Sequence, residues 1–84
     1  MSMQEIKTNL EQALPGSQVM VEDLTGTADH FQVIVVSTTF EGLSPIERHR
    51  VVYQVLGNDV ASGAIHALSI KTYTPVQWKE IVGN

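Results

Sequence analysis

Residues 31–72 contain two strand patterns separated by a strongly signalled helix, and this order constrains the fold more than any other feature of the chain. The first pattern, at residues 31–36, is nearly apolar on both faces, which is typical of a central strand. The sequence SPIE at residues 44–47 has the form of a capping box with proline at the first helical position. The second strand pattern spans residues 65–72. A strand–helix–strand connection brings the second strand back parallel to the first, by the usual right-handed crossover, so the two strands are predicted to lie parallel in one sheet.

A further strand pattern extends this sheet. Residues 19–22 alternate between apolar and polar side chains, and a turn at residues 25–29, which includes Gly26, separates them from the strand at 31–36. A connection this short joins antiparallel neighbours. The sequence therefore predicts a three-stranded mixed sheet with the strand at residues 31–36 in its centre.

Three helices are predicted around the sheet. Residues 2–14 carry apolar side chains at helical spacing, and the middle helix is expected to end near Leu56, with a short extra turn at residues 59–62 after Gly57-Asn58. A second capping pattern, TPVQ at residues 74–77, begins the last helix. The predicted order is αββα(α)βα, an α+β fold, in one domain over residues 1–84.

The predicted topology places the three histidines. His30 opens the second strand and His66 opens the third, and parallel strands begin at the same end of a sheet. Both histidines are therefore expected at one edge of the sheet, beside the turn at residues 25–29. His49, early in the middle helix, is expected toward the opposite end.

Composition excludes several classes of protein. The chain has no cysteine, so it cannot form a disulfide or a thiolate metal site by itself. The N-terminal residues lack the pattern of a signal peptide, and no stretch approaches the roughly 18 apolar residues of a membrane span. We expect a cytoplasmic protein with no membrane association.

The charge of the chain is unevenly distributed. The net charge is −4, with seven acidic residues and one basic residue in residues 1–47 and four basic and two acidic residues in residues 48–84. Four phosphate contacts at most would give a small electrostatic footprint on a nucleic acid. The candidate basic residues are Arg48, Arg50, Lys71 and Lys79.

Catalytic patterns are absent from the sequence. It contains no G-x-S-x-G, P-loop or H-E-x-x-H motif. The acidic neighbours Glu22 and Asp23 lie on a predicted strand, where successive side chains point to opposite faces. A binding or adaptor protein is expected rather than an enzyme.

A series of short motifs nevertheless has a recognisable order and spacing. In that order the chain resembles the BolA family. The motifs that carry the resemblance are VED at 21–23, HF at 30–31, VVS at 35–37, FEG at 40–42, RHR at 48–50 with VY at 52–53, HALS at 66–69, TP at 74–75 and QW at 77–78.

The resemblance implies a fold related to the class II KH domain and a monothiol glutaredoxin as partner. In the family, a [2Fe-2S] cluster is shared with the cysteine of glutaredoxin and with glutathione. The family's histidine ligand corresponds to His66. The second family ligand is a cysteine or histidine in the first hairpin loop, but residues 25–29 read TGTAD. Either His30 takes that role, or His66 is the only ligand that this chain supplies.

The resemblance also implies properties of the free chain and of the bound iron. The isolated chain is expected to carry no cofactor and to be a monomer or a weak homodimer. Its function would lie in iron–sulfur assembly, iron sensing or redox signalling. Imidazole ligation raises the reduction potential of a cluster, and it depends on pH because a protonated imidazole cannot coordinate.

The segment Arg48-His49-Arg50 has several interpretations. Successive helical residues point about 100° apart, so the three side chains cannot all face one ligand. They can bond the carbonyls of the preceding loop, form a partner surface, or contact nucleic acid. BolA proteins are also described as transcriptional regulators, so a nucleic-acid-binding regulator is the alternative function. The Gly-x-x-Gly loop of KH domains is missing, and residues 42–45 are the nearest approach to it.

Overall fold

A computed structural model describes residues 1–83. None of the helices in that range is long and apolar enough to cross a membrane. A single 3₁₀ turn precedes the middle helix. The elements in chain order are α1 (Met3–Ala13), β1 (Gln18–Asp23), β2 (His30–Val36), the 3₁₀ turn (Thr38–Phe40), α2 (Pro45–Ala61), β3 (Ala67–Tyr73) and α3 (Pro75–Val82).

The three strands form one mixed sheet in the order β1-β2-β3. β1 and β2 are antiparallel, with Val21 opposite Val33. β2 and β3 are parallel, with Val33 opposite Ile70. The predicted α+β architecture, with its central second strand and parallel return, is confirmed.

Each α-helix begins with a capping box. The hydroxyls of Ser2, Ser44 and Thr74 each accept the backbone N–H three residues later, and the side chain at that later position accepts the backbone N–H of the cap. This arrangement satisfies two backbone donors that the first helical turn leaves free. The capping boxes predicted at residues 44–47 and 74–77 are therefore present, and α1 has a third.

The predicted end of the middle helix is wrong. α2 continues without interruption through Gly57 to Ala61, so the separate turn expected at residues 59–62 is part of the same helix. Leu56 is fully buried and Val60 packs against the core, and this packing outweighs the low helix propensity of Gly57. The chain leaves the helical conformation at Gly63, whose φ of +84° favours glycine.

The third strand begins two residues later than predicted. The N–H of Ile65 donates to the Asp59 carbonyl at 2.9 Å, and the N–H of His66 donates to the Asp29 carbonyl at 2.7 Å. These bonds go to the end of α2 and to the hairpin loop instead of to a β ladder. His66 therefore lies directly before β3 rather than within it.

The core lies between one face of the sheet and the helices α1 and α2. Phe31, Val33 and Val35 alternate along β2 and are fully buried, as are Leu10 of α1 and Leu56 of α2. α3 lies beside β3, where the rings of Tyr73 and Trp78 are 5.4 Å apart between centroids. Alternation on β2 thus directs one face to the core and fixes the position of its first residue, His30.

Candidate metal centre

The two histidines at the start of β2 and β3 lie side by side. His30 pairs with Ala67 in the parallel register, which places His66 next to it at the same edge of the sheet. The ring centroids are 5.0 Å apart and the planes are tilted by 45°. His66 is exposed, and the His30 side chain is 35% exposed. The predicted placement of both histidines at one sheet edge is confirmed.

The His30 ring is held by its chain neighbour. Its Nδ1 lies 2.8 Å from Oδ1 of Asp29. The same carboxylate oxygen accepts the hydroxyls of Thr27 and Thr25. These hydrogen bonds, the one from Thr27 foremost and then that from His30, hold the pKa of Asp29 well below its usual range. Asp29 is therefore an ionised acceptor whose direction is set by the loop.

The loop between β1 and β2 is ordered by its own polar groups. The carboxylate of Asp23 accepts the backbone N–H groups of Thr25, Gly26 and Ala28, at 3.3, 2.9 and 2.9 Å. Ala28 has a φ of +60°, a left-handed conformation that is uncommon for alanine. The carboxylate thus organises a tight turn that delivers residue 29 to the sheet edge.

Asp29 also contacts the other histidine, through its main chain. Its carbonyl accepts the N–H of His66 at 2.7 Å and the N–H of Ala67 at 3.1 Å. Within residues 1–83, the His66 imidazole makes a ring contact with His30 and no hydrogen bond. Both of its nitrogens are therefore open to a ligand from outside the chain.

The spacing of the pair suits a shared metal ion. A metal bound at about 2.1 Å by one nitrogen of each ring, at a near-tetrahedral angle, places the centroids about 5 Å apart. Over the part of the chain that the structure describes, no group of three or more His, Cys, Asp or Glu side chains could hold a metal. The histidine pair thus offers two nitrogen ligands, and a four-coordinate metal bound here would need the others from another molecule.

His49 differs from the other two histidines. Its Nε2 lies 3.3 Å from the carbonyl oxygen of Ile70, in the middle of β3. His49 therefore lies beside the middle of the sheet, rather than toward the far end as the topology suggested, because the side chain reaches from α2 to the exposed edge of β3. It is separate from the histidine pair.

The four basic candidates do not share one environment. Arg48 donates through Nε to the Leu43 carbonyl at 3.0 Å and through Nη1 to Oε1 of Gln77 at 2.8 Å. The predicted bond from this helix start to the preceding loop is therefore present, and Arg48 makes it. Arg50, Lys71 and Lys79 are exposed on α2, β3 and α3 respectively.

The sequence reasoning missed a shallow apolar groove on α2. Pro45, Ile46, His49, Arg50 and Tyr53 line it. The signal was available, because these residues follow helical spacing on one face and include the exposed Ile46 and Tyr53.

Comparison with known proteins identifies the family of this chain. The protein-family model described as BolA-like protein matches residues 7–77. The chain belongs to the BolA family. The solved structure of a bolA protein homologue from Coxiella burnetii is similar to it, with a TM-score of 0.79 and 40% identity, covering 94% of this chain and 97% of that one.

Two BolA relatives show how far the similarity extends. BolA-like protein 1 of Bos taurus is 45% identical over 82 residues, which cover 89% of this chain but only 60% of that protein. The DNA-binding transcriptional regulator BolA of Vibrio cholerae is 48% identical over 56 residues, covering 67% of this chain and 52% of that protein. The chain thus spans about 60% of the length of its mammalian BolA relative.

Proposed function

We propose that this chain is a non-enzymatic adaptor that binds a monothiol glutaredoxin and, with it, holds or transfers a [2Fe-2S] cluster. His66 and His30 are the ligands that the chain contributes. The observation that carries the proposal is the pair of accessible imidazoles with centroids 5.0 Å apart. Family membership supports it, since the BolA resemblance implies such a partner.

The ligand inventory favours a shared cluster over a self-contained site. The chain has no cysteine, and iron in [2Fe-2S] clusters is held mainly by thiolates. The glutaredoxin cysteine and glutathione supply those thiolates in the proposed complex. Two histidines on one iron, as in Rieske centres, raise the reduction potential of the cluster.

The two histidines have unequal roles in this proposal. The His66 imidazole is exposed and makes no hydrogen bond within the described chain, so it is the primary ligand. His30 replaces the cysteine or histidine that the family places in the hairpin loop, and its Nδ1 is already bonded to Asp29. Its Nε2 is the nitrogen available to iron.

The test is cluster reconstitution with a monothiol glutaredoxin and glutathione, followed by visible absorption and circular dichroism. We expect His66→Ala to abolish the spectrum of the mixed complex, and His30→Ala to change the spectrum and shorten the lifetime of the cluster. His49→Ala is the matched control, because His49 is an exposed histidine outside the pair, and it should leave both unchanged. If His66→Ala has no effect on spectrum or lifetime, the ligand assignment is wrong.

Nucleic-acid binding is the second candidate, and the observation in its favour is the similarity to the Vibrio cholerae regulator. Arg50, Lys71 and Lys79 are the exposed cations that could contact phosphates. Three such contacts would give a slope of log affinity against log salt no steeper than about −2.7. Fluorescence anisotropy with a labelled duplex measures this slope, and the absence of binding at low salt would remove the candidate.

A further inference from the structure

We propose that Asp29 is the positioning residue of the histidine pair. Its carboxylate orients the His30 imidazole, and its main-chain carbonyl fixes the backbone at His66. The consequence for a bound cluster rests on the function proposed above. The effect on His30 itself is a property of the isolated chain.

The proton between Asp29 and His30 determines the tautomer of the His30 ring. An aspartate carboxyl ordinarily ionises near a pKa of about 3.9, so at neutral pH it only accepts hydrogen bonds. The 2.8 Å contact between Oδ1 and Nδ1 therefore requires the imidazole to donate from Nδ1. In a neutral ring, the lone pair is then on Nε2. The carboxylate thus selects the tautomer whose free nitrogen can bind a metal.

Two threonines of the hairpin loop hold the Asp29 carboxylate. Thr25 and Thr27 donate their hydroxyls to the same Oδ1 that accepts His30. Together with the 2.6 Å contact between the two threonine hydroxyls, these bonds leave the Asp29 side chain few alternative directions. The His30 ring is consequently held by a carboxylate that the hairpin loop itself positions. Carboxylate partners of this kind orient metal-binding histidines in many proteins.

The main chain of Asp29 holds the backbone at His66. The N–H of His66 and that of Ala67 both donate to the Asp29 carbonyl. This pair of bonds attaches the segment before β3 to the residue that precedes His30. One residue therefore contacts both histidines, by side chain on one side and by main chain on the other. This explains how a loop with neither cysteine nor histidine can still present two ligands at one edge.

The direct test is the tautomer of His30, measured by ¹⁵N–¹H NMR on the ¹⁵N-labelled isolated chain above the pH at which its imidazole protonates. Wild type should show Nδ1 protonated and Nε2 free. Asp29→Ala should shift His30 to the Nε2–H form that exposed histidines favour in water. The backbone amide of His66 should stay protected from exchange in this variant, because the carbonyl at position 29 remains. Glu22→Ala removes an exposed carboxylate of β1 and should change nothing.

A second variant and a second measurement guard against misfolding. Asp29→Asn is close in shape, and its neutral amide cannot enforce the Nδ1–H form. The probe for ligand binding is Zn²⁺ alone, titrated into the isolated chain and followed by the His30 and His66 ring signals. Loss of an outer carboxylate partner typically weakens metal binding 10–100-fold, so we expect at least about a 10-fold rise in Kd for Asp29→Asn. His66→Ala should also raise the Kd, whereas Glu22→Ala should not.

The outcomes separate this inference from the proposed function. An unchanged His30 tautomer in both Asp29 variants overturns the inference, as does an unchanged Kd for Zn²⁺. A changed tautomer together with a failure to form any cluster with glutaredoxin supports the inference and refutes the function. If wild type forms a cluster and the Asp29 variants match it in tautomer and in Zn²⁺ affinity, the proposed function is supported and the inference about Asp29 is refuted.

Discussion

Arg48 and Gln77 are 29 residues apart in the chain and are joined by a 2.8 Å hydrogen bond from Nη1 to Oε1. The same oxygen of Gln77 accepts the backbone N–H of Thr74 in the capping box of α3. Through Nε, Arg48 also bonds the Leu43 carbonyl before α2. One side chain therefore links the start of α2 to the start of α3.

This relationship predicts that Arg48 contributes to stability. Arg48→Met keeps much of the apolar stem and removes both hydrogen bonds, so the free energy of unfolding should fall by about 1–3 kcal/mol. Arg50→Met is the matched control on the same helix, and as an exposed substitution it should change stability by less than about 0.5 kcal/mol. Urea denaturation compares the two variants. Equal effects would contradict the structural role of Arg48.

The uninterrupted α2 predicts opposite effects at two glycines. Gly57 lies within the helix, and an added Cβ there would meet Cδ1 of Tyr53 at 3.8 Å, an ordinary contact. Gly57→Ala should raise the free energy of unfolding by about 0.5–1 kcal/mol. Gly63 has a φ of +84°, so Gly63→Ala should lower it by about 1–2 kcal/mol. Thermal or urea unfolding checks the signs, and a destabilised Gly57→Ala would mean that the helix breaks at that residue.

Phe40 is predicted to be essential for folding. It lies in the 3₁₀ turn before α2 and is fully buried, with the Arg48 guanidinium 6.0 Å from its ring centre. Phe40→Ala should cost about 3–5 kcal/mol, which is comparable to the whole stability of many small domains. Phe40→Leu keeps most of the volume and should cost clearly less. Circular dichroism during urea unfolding ranks the two, and a folded, little-changed Phe40→Ala would contradict the packing.

The capping box of α2 predicts part of the acid sensitivity of the fold. The backbone N–H and hydroxyl of Ser44 lower the pKa of Glu47 from its usual value of 4.5. A lowered pKa in the folded state means that the ionised carboxylate stabilises the protein above the unfolded pKa. This stabilisation is lost as the pH falls through the folded pKa. The urea midpoint should therefore decline below a pH of about 4.5.

Two substitutions test this source of pH dependence. Glu47→Gln keeps a hydrogen-bond acceptor without the charge, so the decline in urea midpoint from pH 5 to pH 3 should be shallower than in wild type. Gln77→Glu introduces a carboxylate into the matching box of α3 and should make the decline steeper. Identical pH profiles for wild type and both variants would show that these boxes make no acid-sensitive contribution.

Much of the fold follows from local signals. The capping patterns at residues 44–47 and 74–77 fixed two helix starts, because a cap needs only residues within one turn. The apolar alternation of residues 31–36 identified the central strand, and the parallel return placed His30 and His66 at one edge. The resemblance to BolA proteins singled out His66. Sequence patterns were thus sufficient to predict a structural element wherever its cause lay within a few residues, and the order of the elements then gave the topology of the sheet.

Other features depended on contacts between distant segments. Gly57 was a reasonable stop signal, yet burial of Leu56 and packing of Val60 carried α2 past it. The N–H of His66 donates to the Asp29 carbonyl, so His66 lies before β3 rather than within it. No sequence pattern in the hairpin loop predicts that bond.

The amino-acid sequence by itself determined the elements, their order and the edge of the sheet at which the histidines lie. Tertiary structure alone decided that the ring centroids of His30 and His66 lie 5.0 Å apart, that Asp29 contacts both histidines, and that Arg48 joins two helix starts. The physical reason is the distance along the chain over which each interaction acts. Propensity and capping act over about one turn of chain, whereas the direction of a side chain toward a distant partner is set only when the core has packed.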